Sequence, residues 1–98
     1  MTIDLLTIDM FSTKVGQVFV IEEPGIPQIE LTLIEAKSGP RYANASRTMF
    51  SLLFATQGLA VLPQRIYALR HSTLGLQSIF LVPVGKDGDR VTYEAIFN

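Results

Sequence analysis

The chain contains no cysteine, which excludes a disulfide framework and any thiolate metal site. It has a single histidine, His71, so a multi-histidine zinc site is excluded as well. Charge is scarce: Asp, Glu, Lys and Arg make up 17% of the 98 residues, against roughly 25% in soluble domains. The formal net charge is -1, and binding to nucleic acid, which rests on clustered Lys and Arg, is not expected. No apolar run approaches the roughly 18 residues needed to span a bilayer. Residues 1–10 carry Asp4 and Asp9 but no Lys or Arg, so no positively charged start of a signal peptide is present. A soluble, cytoplasmic protein with no membrane partner is the expectation.

Catalytic constellations are missing too. Ser46, Ser51, Ser72 and Ser78 lack the Gly-x-Ser-x-Gly elbow. The glycines fall at turns and strand ends instead of forming a phosphate loop. Asp87 and Asp89 flank Gly88, but the further ligands and final Glu of a calcium loop do not follow. Glu22 and Glu23 flank another turn, with nothing to set a second carboxylate at glycosidase distance. His71 as a general base would need a nucleophile and an orienting acid. Its spacing from Tyr67 and Leu69 instead predicts an inward residue near a strand end, bonded to a loop carbonyl. No catalytic, metal or cofactor-binding residue is expected, and no cofactor. One basic grouping includes an aromatic residue: Arg41, Tyr42, Arg47 and Arg65. It could recognise a phosphate or an acidic partner, although scattered Arg is ordinary on a surface.

What the chain does have is alternation. Residues 76–84, ended by Pro83 and bracketed by Gly75 and Gly85, are too short and too punctuated for a buried helix. They predict a central strand with apolar residues on both faces. Residues 15–21 set Val18 and Val20 against Phe19 and Ile21. Residues 29–36 set Ile29, Leu31 and Leu33 against Glu30, Thr32 and Ile34. Between them Glu23-Pro24-Gly25-Ile26 predicts a type II turn, with proline presetting the second position and glycine accepting positive φ at the third. Residues 37–47 show no periodicity and predict the longest irregular stretch. Three further strands follow. Residues 48–55 face Phe50, Leu52 and Phe54 inward; residues 65–71 face Tyr67, Leu69 and His71; residues 91–97 face Tyr93, Ala95 and Phe97. Asp87-Gly88 predicts the last hairpin. Near the start, Thr7 could cap a helical turn over residues 8–11 that docks as a lid on one end. The reading is a single all-β domain over residues 1–98: a small antiparallel six-stranded barrel or barrel-like meander with a short N-terminal helical turn.

The motifs Phe50-Ser51-Leu52-Leu53-Phe54, Leu62-Pro63-Gln64, Tyr67-x-Leu69-x-His71, Phe80-Leu81-Val82-Pro83-Val84-Gly85 and Tyr93-Glu94-Ala95-x-Phe97-Asn98 span nearly the whole chain. In them the sequence resembles a small bacterial all-β family of unknown function. Arg65 stands where that family's pattern has Gly after the turn Gln. The resemblance implies a compact β-domain without known catalytic residues, and a setting near phage-tail-like genes that points to assembly.

The leading expectation for function is therefore a non-catalytic protein-interaction or assembly module. The alternative is a small-ligand-binding barrel, whose interior, however, should be filled by Phe50, Phe54, Tyr67 and Phe97. Apolar residues exceed what so small a core can absorb, which predicts a homo-oligomer, a two-fold homodimer being the commonest, or a protein partner. Leu53, Leu59, Val61, Phe80 and Val82 are the candidate surplus, with Arg41, Tyr42 and Arg47 in the long loop as possible further contacts.

Overall fold

The computed structural model describes residues 6–39, 49–58 and 61–97. Among the described residues the alternation resolves into one short helix and six strands: α1 (Ile8–Ser12), β1 (Val18–Ile21), β2 (Ile29–Ser38), β3 (Phe50–Gln57), β4 (Arg65–His71), β5 (Gly75–Asp87) and β6 (Arg90–Phe97). All pairings are antiparallel, and the strands close into a barrel in the order β1-β2-β3-β6-β5-β4.

The order is not that of one continuous meander. Two three-stranded meanders, β1–β2–β3 and β4–β5–β6, meet edge to edge at β3–β6 and β1–β4. β3 and β4, consecutive in the chain, therefore stand on opposite sides of the ring of strands.

Inside faces carry the predicted phase. Phe19 and Ile21, Leu31 and Leu33, Phe50, Leu52 and Phe54, Tyr67 and Leu69, Ile79 and Leu81, and Val91, Tyr93 and Ala95 are all buried. Phe97 is only half-buried, because it lies at the rim, where its ring stacks on Phe50 at 4.5 Å. Phe11 of α1 is fully buried and reaches the rings of Phe19, Phe50 and Phe97, so the helix is the lid expected for that end. Thr7 occupies the N-cap position, but its side chain makes no cap hydrogen bond. Docking through Phe11, not capping, holds this five-residue helix.

Several boundaries differ from the expectation, each for a local reason. β1 begins at Val18 rather than at residue 15, because Gly16 takes φ +90° and donates its N–H to Leu33 O at 2.7 Å as part of a turn. β2 and β3 extend further than expected, through Ser38 and Gln57, and Gly39 N–H donates to Met49 O at 2.6 Å. The rest of the expected 37–47 loop lies outside the described residues. Pro83 does not end its strand. β5 pairs with β4 over residues 75–81 and with β6 over 82–87. Beyond Leu81 it is therefore bonded along one side, and a residue without an N–H is tolerated there. The strand expected to be central is a bent strand that exchanges one neighbour for the other.

Bulges at Leu33/Glu35 and Pro83/Gly85 accommodate the curvature. The first shifts the inward phase, so that Ala36 packs on the core. The turn at Pro24-Gly25 is as expected, with Gly25 at φ +83°. The last turn sits one residue further on: Asp87 pairs with Arg90, and Gly88, at φ +60°, takes the first central position.

Candidate functional site

Among the described residues, large buried side chains, Tyr67, Tyr93, Phe19, Phe50 and Phe54 among them, occupy the interior. α1 covers one end. At the other, the segment before β4 is tied down by two phenols: Tyr93 Oη accepts the Leu62 N–H at 2.9 Å, and Tyr67 Oη donates to Pro63 O at 2.5 Å. Burial raises the Tyr67 pKa, and the Arg65 guanidinium, 4.7 Å above its ring, opposes the rise. Arg65 also pairs with Glu23 at 3.5 Å. It thus clamps the start of β4; Arg41, Tyr42 and Arg47, the other members of the expected basic grouping, lie outside the described residues.

The outer wall is more informative. Ile66 on β4 and Phe80 on β5 are direct cross-strand partners, and they are 59% and 48% exposed. Next along β5, Val82 is half-buried and pairs with Glu94 of β6, which in turn pairs with Leu53 of β3. Three expected surplus residues, Leu53, Phe80 and Val82, thus lie on the outside of adjoining strands. Val61 is exposed in the segment ahead of β4. Leu59, Arg41, Tyr42 and Arg47 lie outside the described residues. Ile66, Val84 and Ile96, each more than half exposed, extend the apolar outer wall of β4, β5 and β6 and were missed by the sequence reading. Ile66 and Ile96 could have been found by phase alone, since each neighbours an inward residue, Tyr67 and Ala95. Val84 follows the bulge, where phase gives no guide.

On the opposite side the wall splays. The β2–β3 ladder stops at Thr32–Ala55, although β2 starts at Ile29 and β3 runs to Gln57. Thr56 Oγ1 spans the gap to Glu30 O at 2.7 Å. A concavity of about 810 Å³ opens there, lined by Glu30, Thr32, Thr56, Gln57 and Arg90 among others. Its walls mix these polar groups with Val20, Ile29, Ile34 and Ala55, and it is open to solvent.

His71 lies beneath the lid end and is 3% exposed. Its Nδ1 accepts the backbone N–H groups of Thr73 and Leu74 at 3.1 and 3.3 Å. That fixes the ring proton on Nε2, which donates to Gln17 Oε1 at 2.5 Å. The partner is a side-chain amide, where the sequence predicted a loop carbonyl; the turn supplies donors instead. Burial, and then the Lys14 charge, pushes the imidazole below its ordinary pKa. The hydroxyl near Nδ1 is that of Thr73, at 3.2 Å, and Phe19 packs on the ring at 4.7 Å. Among the described residues the partners of His71 are Gln17, the Thr73 and Leu74 amides and the Thr73 hydroxyl, none of them an acid that would orient it as a base. Among the described residues no group of three potential metal ligands converges, and no helix is long and apolar enough to cross a membrane.

No curated protein and no solved structure matches the chain. A family model does, over residues 6–97, a span that includes α1 and all six strands, and the chain belongs to that family, Domain of unknown function (DUF6916).

Proposed function

We propose that the domain is a non-catalytic protein-interaction module that self-associates through the outer wall of β4, β5 and β6. The observation that carries this reading is the cross-strand pair Ile66–Phe80, two large apolar side chains set side by side and turned to solvent. Contiguous apolar surface of this kind generally marks an interface. A second copy is the occupant that fits best. Two-fold symmetry brings one patch onto itself, outer sheet faces can pack about 10 Å apart, and a net charge of -1 opposes the approach of two copies only weakly. Glu94, half-buried, lies between Leu53 and Val82 within this wall.

Sedimentation equilibrium at micromolar concentration tests the reading. The wild-type chain is expected as a dimer, twice its 10.8 kDa, and Phe80→Lys as a monomer with an unchanged circular dichroism spectrum, because that side chain points away from the core and its loss removes only the stabilisation that association supplies. A monomeric wild type, or a dimer indifferent to the substitution, would refute it. The wider role we propose is assembly, in keeping with the phage-tail-like setting that the family resemblance implies. Pull-down with neighbouring gene products then identifies the larger structure. The filled interior weighs against a ligand-carrying barrel.

A further inference from the structure

The barrel wall has one thin seam. β1 and β4 share two register pairs, Val20–Arg70 and Ile21–Leu69, whereas every other seam has between four and eight. The rest of the closure is made at single points. Glu22 N–H donates to Ala68 O at 2.9 Å, and the Glu23 carboxylate takes the Ala68 N–H at 2.8 Å in place of a strand carbonyl. Glu22 pairs with Arg70 outside. At the lid end the tie is Gln17 to His71. β1 is only four residues long, with the Gly16 turn before it and the Pro24-Gly25 turn after it.

We propose that β1, with α1 ahead of it, is a gate in the barrel wall, and that His71 is its acid-sensitive latch. The latch works only with a neutral ring. A solvent proton arriving at Nδ1 would meet the Thr73 and Leu74 N–H groups head-on, so the imidazolium must leave its seat, and the bond from Nε2 to Gln17 goes with it. The groups around the ring reinforce this. Lys14, from the α1–β1 connection, repels the imidazolium. β1 presents the Phe19 ring, and the β4–β5 turn presents the N–H groups of Thr73 and Leu74 and the Thr73 hydroxyl. On the same seam Glu22 is engaged with Arg70 and Glu23 with Arg65. Release frees the start of β1, and what remains of the seam is two register pairs and the ties at Glu22 and Glu23. Opening would bare the β4 edge at Ala68 and Arg70, next to the Ile66–Phe80 pair.

Amide hydrogen exchange by NMR, expressed as protection factors, tests the gate. The reporters are the Glu22 and Ala68 amides on the seam and the Leu33 amide, which donates to Gln17 O. From about pH 7.5 to about pH 5.0 their protection is expected to fall by up to about 30-fold, the limit for a group that is neutral when closed and has a free pKa near 6.5 when open. Amides of the β3–β6 ladder should keep theirs. His71→Gln should remove the pH dependence. Gln17→Ala, which keeps the histidine but cuts the tie, should leave the seam poorly protected at both pH values. Protection that falls equally in every ladder, that does not fall at all, or that falls in the same way in His71→Gln overturns the proposal.

Discussion

Phe11→Ala probes whether the helix is part of the core or an ornament on it. Phe11 has no exposed surface and lies about 6 Å, ring to ring, from each of Phe19, Phe50 and Phe97. Its truncation removes a full aromatic payload and leaves a cavity over three rings that are held by strands and cannot follow the void. Buried Phe→Ala changes of this kind cost about 3–5 kcal/mol. A chain of this size has a total stability of about 5–15 kcal/mol, so the variant should lose about a fifth or more of it. Urea unfolding followed by circular dichroism measures the loss directly: the midpoint should fall steeply while the dependence on denaturant stays the same. Helix propensity cannot account for a loss of this size, because α1 is too short to contribute much by itself. A loss under about 1 kcal/mol, within the range of surface changes, would show that the barrel end is closed without α1.

Leu69→Ala, at a fully buried position facing the same interior, should cost about 2–5 kcal/mol in the same assay; a neutral result would mean that β4 can slip by one residue. The imidazole of His71 is held below its free pKa. Its contribution to stability is therefore complete above about pH 6.5 and is lost as pH falls through the folded-state value, with a slope approaching about 1.4 kcal/mol per pH unit. His71→Gln should flatten that window in denaturant titrations, and an unchanged slope would contradict the assignment. A Cβ at Gly85 would lie 2.8 Å from Thr92 Oγ1. Gly85→Ala should thus destabilise by about 1 kcal/mol or less, the order of an off-rotamer turn of the Thr92 side chain, and adding Thr92→Ala should recover most of the loss; if the pair is merely additive, the clash is not the cause.

Phase was legible in the sequence wherever a strand stays in step with its neighbours. Tyr67, Leu69 and His71 face inward as their spacing predicts, and the turn glycine at position 25 takes the positive φ its place demands. What could not be read is what depends on the third dimension. Pro83 looks like a stop sign in the chain, and only the one-sided pairing of β5 beyond Leu81 makes it tolerable. The edge-to-edge joining of two meanders sets the consecutive strands β3 and β4 on opposite sides of the barrel, and no periodic signal announces that. His71 was legible as an inward residue but not as the tie to Gln17, since those two residues are brought together only when β1 meets β4. Of the apolar outer wall, Phe80 and Val82 stood out because they belong to an unbroken hydrophobic run. Ile66 sits among polar and small neighbours and drew no notice, although it is the direct partner of Phe80.

The claim that the outer wall of β4, β5 and β6 is an interface is tested most directly by following backbone amide shifts by NMR across a dilution series. Self-association through this wall predicts concentration-dependent shifts at Ile66, Phe80, Val82 and Ile96, with the buried positions Phe54 and Leu69 unmoved. Spectra that are invariant with concentration at the monomer mass, or shifts centred on the concavity at Glu30 and Arg90, would contradict it.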